Sequence, residues 1–358
     1  MCTVLAITDQ AGNMYQGRTN EFAGQQPDAL SYLPPGTNIV SSTPDGDAGK
    51  TFSTKYGILA VTLSDLIPNS KQDTLHEAVN DQGLTFTTNA LIENSPPVPT
   101  GPADKLLSVL DVGSWALGNF SNVNQVKTAL NNREVEIWLP RITSMANLSA
   151  PVHFALYDKE GGAIVIEFTD QRTTVYDNPV AVLTNDPPFP WHLTNMNNFA
   201  YLTNVDKNTG LFNRLEVSLS DSGSNMAGLP GIETSVGRFV KAAYYSHYAD
   251  KADSPEQAIL TLAHVMNNFD RPKGISIDLP GTASKAEAFA ANCISSESTY
   301  FTVMNDLTQG YFYLRTINSI NFSRFDIHRL NSICEKKTVQ FSAIDEHAQL
   351  NATDLFTE

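Results

Sequence analysis

The chain has 358 residues, 23 Lys and Arg against 38 Asp and Glu for a formal charge of −15, and three cysteines, Cys2, Cys293 and Cys334. At 41% hydrophobic residues it can bury a large core, so disorder is excluded. It lacks the basic cluster that nucleic acid or an anionic membrane requires, the cysteine spacing of a disulfide framework or zinc site, and any apolar run of membrane-spanning length.

The elements, in chain order, begin with an apolar, β-forming run from Thr3 to Thr8. A turn at 9–13 and a second extended run from Met14 to Thr19 complete a hairpin that ties the N-terminus into a sheet. Residues 34–51, rich in proline, glycine and small polar residues, read as a surface loop ahead of a strand over 56–63. The apolar spacing of Leu106, Leu107, Leu110, Val112 and Leu117 predicts a helix over 103–118, and a second follows over 122–130. Strands over 152–157, 163–168 and 173–176 form a meander. Helical segments come next, near 191–202, over 234–248, and after Ser254-Pro255, where Ser254 is the N-cap. Strands over 299–304 and 311–316 flank a turn. This order indicates an α+β chain with antiparallel sheets, and without repeats or linkers residues 1–358 read as one domain.

Most familiar motifs fail. Gly46 to Thr51 ends like a phosphate-binding loop, but Pro44 stands where that loop needs glycine. The histidines are scattered, and His247, on a helical face with Val240 and Ala243, reads as a packed or rim residue. No metal or cofactor is expected. The N-terminus has neither the basic start nor the long apolar stretch of a secretory signal, so the expected location is the cytoplasm, or the periplasm if an export signal was trimmed.

One constellation survives. On position alone, Cys2 is most simply a small apolar residue opening a strand. Once Met1 is removed, however, Cys2 carries both a thiol and a free α-amine. A thiol titrates near about 8.5 and an α-amine near about 7.7 to 8.0, so the amine can take the thiol proton at neutral pH without a histidine. The hairpin returns Arg18 and Glu21 to its neighbourhood: the guanidinium would favour thiolate, and the carboxylate could hold the amine.

Here the sequence resembles the choloylglycine hydrolase family of N-terminal nucleophile hydrolases, which includes bile salt hydrolases and penicillin V acylases. Met1-Cys2-Thr3 with an arginine sixteen residues after Cys2 matches its opening. Residues 164–168, 175–180, 183–187 and 191–196 resemble its central signature, 228–231 and 235–240 its second, and 297–300 with 305–307 its C-terminal strand pair. The resemblance implies a four-layer αββα sandwich and amide hydrolysis through an acyl-enzyme. In it Cys2 is the nucleophile, Arg18 sits beside the thiolate, Asn185 donates to the oxyanion and Arg238 is a further cation. A second oxyanion donor falls at Asn89 or Ala90. Glu21 departs from the aspartate usual in the family, and Ser298 from the aromatic that often follows the glutamate. His192 and Asn195 would support the site. The family's protruding assembly loop falls between Asn185 and Arg238, so a homotetramer is expected.

The expected substrate is a linear acyl amide with an apolar acyl group and a small polar amine: a conjugated bile salt, penicillin V or an N-acyl homoserine lactone. Segments 22–35, 56–70 and 132–146 would set specificity. Two competitors remain: a thiol hydrolase using Cys293 or Cys334 with a histidine base, and an impaired homologue that binds acyl amides without turnover.

Overall fold

Two antiparallel sheets lie face to face between two helical layers in the computed structural model, which describes residues 1–23, 28–63, 73–142, 148–279 and 294–348. In chain order their strands are β1 (Cys2–Thr8), β2 (Met14–Phe22), β3 (Asp28–Leu33), β4 (Ile58–Leu63), β5 (Thr74–Asn80), β6 (Thr85–Ala90), β7 (Val152–Tyr157), β8 (Ala163–Thr169), β9 (Arg172–Asp177), β10 (Val182–Leu183), β11 (Ser298–Asp306), β12 (Tyr311–Thr316), β13 (Ser323–Asp326) and β14 (Lys337–Gln340). The first sheet runs β10-β1-β2-β11-β12-β13, and the second β9-β8-β7-β6-β5-β4-β3-β14.

Alternation along the strands builds the layers. On β4, Leu59 and Val61 join the core that contains Val4, Leu5 and Tyr15, while Ile58 and Ala60 face the opposite way onto helix α1 (Val112–Asn119) and its Trp115. Helix α2 (Val123–Asn131) covers the same outer face through Val126 and Ala129. On the other side of the molecule, α4 (Ser235–Tyr248) and α5 (Pro255–Asn267) cover β1 and β2. Because the first sheet is covered on both faces, β1 and β2 are buried almost throughout. Gly17 lets α5 approach closely, since a Cβ there would lie 2.6 Å from Met266 Sδ. The four-layer αββα arrangement expected from the resemblance is the one observed.

Most predicted elements appear within a residue or two, including the Thr234 and Ser254 caps, whose side chains accept from Gly237 N and Gln257 N. Two readings need correction. Residues 34–51 are not a plain loop: Asn38–Ser42 and Ala48–Ser53 pair as a hairpin. The predicted helix over 103–118 forms only from Val112. Upstream, Leu106–Ser108 pairs with Glu136–Trp138, and Ser41 Oγ binds both Ser108 N and Asp111 Oδ2, so tertiary pairing overrides the helical spacing. Cys293 and parts of the three specificity segments lie outside the described residues.

Candidate active site

The hairpin register places Cys2 opposite Asn20 and Val4 opposite Arg18. With a period of two, Gln16, Arg18 and Asn20 share the face of β2 that looks into the space between the sheets, and Cys2 shares it from β1. Arg18 is fully buried there, with Nη2 3.2 Å from Cys2 Sγ, 3.3 Å from Asn20 Oδ1, 3.1 Å from His76 Nε2 and 2.6 Å from Thr88 O. Its Nε lies 3.7 Å from Glu77 Oε2. The thiol donates to Asn20 Oδ1 at 3.3 Å. Burial pushes the Glu77 carboxyl up to about 7, with Arg18 pulling the other way.

The second cation comes from the opposite face. Thr3, one residue on from Cys2, points toward the helices, and its Oγ1 accepts from Arg238 Nη1 of α4 at 2.6 Å. The same Nη1 reaches Cys2 O at 2.5 Å, Nη2 reaches Asn185 Oδ1 at 2.9 Å, and Nε reaches Glu233 O at 3.0 Å. Cys2 N also donates to Asn185 Oδ1, at 2.8 Å. Two donors on that oxygen fix the amide's orientation, so Nδ2 faces away and donates to Ala90 O at 2.9 Å. Asn185 follows β10, which pairs with β1 through Val4 and Leu183, and this pairing brings it level with Cys2.

The chain start is held by a backbone carbonyl and a carboxylate. The Met1 ammonium donates to Glu21 O at 2.8 Å and to Glu297 Oε1 at 3.1 Å, and Glu297 in turn pairs with Arg271 at 3.5 Å. Glu21 is buried, and its Oε1 accepts from Thr299 Oγ1 at 3.1 Å. Burial pushes the Glu21 carboxyl up, opposed by Arg238 and the terminal ammonium.

A supporting shell fixes Asn185. His192 donates from Nε2 to Asn185 O at 2.9 Å and stacks on Phe239 with centroids 4.5 Å apart. A carbonyl can only accept, so the ring carries its proton on Nε2, and burial pulls its pKa down, keeping it neutral. Asn89 does not turn its amide toward Cys2. Its Nδ2 donates to Thr184 O at 2.7 Å, and His153 Nε2 approaches the same oxygen at 3.2 Å. Of the two positions weighed for a second donor, Ala90 is the one in contact with Asn185. The half-buried Asn195, at the end of α3 (Phe189–Asn195), accepts from Asn198 Nδ2 at 3.1 Å through Oδ1, and its own Nδ2 is buried without a hydrogen-bond partner.

A buried thiol, two buried guanidinium groups on opposite faces and an oriented side-chain amide suit addition to a carbonyl carbon. The family model for linear amide C–N hydrolases of the choloylglycine hydrolase family matches residues 2–338. The chain belongs to that family. It is 25% identical to the bile salt hydrolase/transferase of Clostridium perfringens (strain 13 / Type A) over 337 residues, covering 92% of this chain and 94% of the relative. It is 27% identical to the conjugated bile acid hydrolase of Lactobacillus acidophilus, covering 93% and 98%. The fold also matches a solved penicillin V acylase from Agrobacterium tumefaciens, with TM-score 0.75 and 19% identity over 97% of this chain and 94% of that one.

In this choloylglycine hydrolase family member, sequence reasoning missed Asn20, His76, Glu77 and Glu297 as site residues. Asn20 was within reach, two residues beyond Arg18 and so on the same strand face. His76 and Glu77 were not, because a bulge brings them in: Val61 pairs with Glu77 and Thr62 with Leu75, leaving His76 as the extra residue. Of the two thiols assigned to the competing hydrolase, Cys334 lies within the described residues. It is exposed beyond a short helical turn, 3.8 Å from Ser332 O. Among the described residues no helix is long and apolar enough to cross a membrane.

Proposed function

We propose that Cys2, freed of Met1, is the nucleophile of this amide hydrolase and that its own α-amine is the base. The thiol proton passes to the amine, Sγ bonds to the substrate carbonyl carbon, and the carbonyl oxygen takes the negative charge. The amine returns the proton to the leaving nitrogen as the C–N bond breaks, and water then hydrolyses the thioester. Arg18 supports the thiolate from between the sheets. Asn185 uses its second Nδ2 hydrogen for the oxyanion, and Arg238 holds the Cys2 backbone and Asn185 Oδ1 in place. Glu21 places the amine, and Asn89 braces the segment leading into Asn185. The observation that carries the reading is the Arg18 Nη2 contact to Cys2 Sγ at 3.2 Å, with Cys2 N 2.8 Å from an oriented amide oxygen.

The substrate class we favour is an amide joining a bulky apolar acyl group to a small polar amine, as in glycine-conjugated bile salts or penicillin V; the names of the relatives support it. A tetramer fits the exposed hairpin Thr209–Phe212 and Leu215–Ser218, which presents Leu211, Phe212 and Leu215 to solvent. The test is amine release from both substrates by the wild type and by Cys2→Ala. Release by the wild type with none from Cys2→Ala is expected; release by Cys2→Ala, or by neither protein, overturns the reading.

A further inference from the structure

The nitrogen of Arg18 that touches the thiol is oversubscribed. Nη2 carries two hydrogens. Four acceptors surround it: Cys2 Sγ, Asn20 Oδ1, His76 Nε2 and Thr88 O, at 3.2, 3.3, 3.1 and 2.6 Å. A guanidinium N–H only donates, so His76 Nε2 is an acceptor and the ring is neutral with its proton on Nδ1. A neutral thiol is the weakest acceptor of the four, and this one already directs its own hydrogen at Asn20. In the resting site the sulfur therefore gives way, and the Nη2 hydrogens go to the two shortest contacts, Thr88 O and His76 Nε2, ahead of the longer one to Asn20 Oδ1.

We infer that His76 is a positioning residue that competes with Cys2 for one hydrogen of Arg18, so that thiolate forms only as that hydrogen moves from the ring to the sulfur. This rests on the reading of Cys2 as nucleophile. The ring is well placed to hold such a contact. The bulge in β5 turns it into the space between the sheets, and it meets Phe301 edge-on at 5.7 Å, with the Arg18 guanidinium over the same phenyl ring at 5.3 Å. The charged and titratable groups around Cys2 and this contact are the chain's α-amine on β1, Arg18 and Glu21 on β2, Glu77 on β5, Arg238 on α4 and Glu297 ahead of β11. Replacing His76 removes none of them.

The test follows iodoacetamide alkylation of the N-terminal peptide of the Met1-free protein against pH, read by mass spectrometry. Replacing the acceptor with a hydrocarbon in His76→Leu lowers the alkylation midpoint by about one unit, making alkylation on the acid side roughly tenfold faster. His76→Gln keeps an acceptor oxygen and stays within about 0.3 units of the wild type. A midpoint that stays or rises in His76→Leu, or an equal fall in His76→Gln, overturns the inference. Should His76→Leu fail to fold, imidazole nitrogen NMR of the wild type decides: a neutral ring with unprotonated Nε2 at pH 7 upholds it, and an Nε2–H or charged ring overturns it. Alkylation needs no substrate. A protein that hydrolyses no amide yet shows the expected midpoint shift would refute the proposed function and leave this inference standing.

Discussion

Arg18 and Arg238 flank the same cysteine from opposite faces of one sheet, and they are used differently. Arg238 has a matched partner for each nitrogen: Glu233 O, Cys2 O with Thr3 Oγ1, and Asn185 Oδ1. Arg18 has the reverse, one crowded nitrogen and a neighbouring carboxyl that can take up a proton near neutrality. A fully matched buried cation fixes geometry, whereas an oversubscribed one leaves its hydrogens free to follow the charge.

This contrast can be broken experimentally. The largest effect belongs to Arg238→Met, which frees Asn185 Oδ1 and the Cys2 carbonyl together. A fall in kcat/KM of roughly 10² to 10³-fold is expected, with a lower melting temperature. Arg18→Lys keeps the charge but cannot span Thr88 O and the sulfur, so kcat falls roughly tenfold or more with little change in KM. Its melting temperature drops less than that of Arg238→Met, because the lysine still places a cation beside Glu77 whereas the methionine leaves Asn185 Oδ1 and the Cys2 carbonyl without their donor. Equal losses in the two variants would erase the distinction. Glu21→Asp draws the carboxylate back by one methylene on the Arg238 face, and a change in kcat/KM within about fivefold is expected, since Thr299 still lies opposite in the β-ladder.

The smallest effect on activity is a control remote from both arginines. Asp111 is buried beside Ser41, and burial pushes its carboxyl up from 3.8 to about 6. The folded state thus holds this proton more tightly than the unfolded one. The resulting stability is fully present below about 4 and is lost as pH rises through about 6. Asp111→Asn cannot ionise, so its melting temperature should exceed the wild type's most at pH 8 and least at pH 4, by an equivalent of about 3 kcal/mol, with kcat/KM unchanged.

Much of this was legible in the sequence because it follows from local periodicity. The opening hairpin, the meander and the two capped helices rest on alternation and capping residues, and the hairpin alone brings Arg18 back to Cys2. What stayed hidden depends on contacts between layers. No spacing rule says that β5 carries an extra residue, so His76 and Glu77 could not be assigned to the thiol. Nor could a single strand reveal that Asn89 binds the Thr184 carbonyl. The segment before Val112 was misread for the same reason: its pairing partner is some thirty residues away in sequence.

The most direct test of Cys2 as an N-terminal nucleophile is intact mass of the protein quenched during turnover of penicillin V or a glycine-conjugated bile salt. The expected spectrum shows a chain lacking Met1 and carrying one acyl group, localised to the Cys2 peptide and lost on longer incubation. Retained Met1 in active protein, or an acyl group on Cys293 or Cys334 instead, would contradict it.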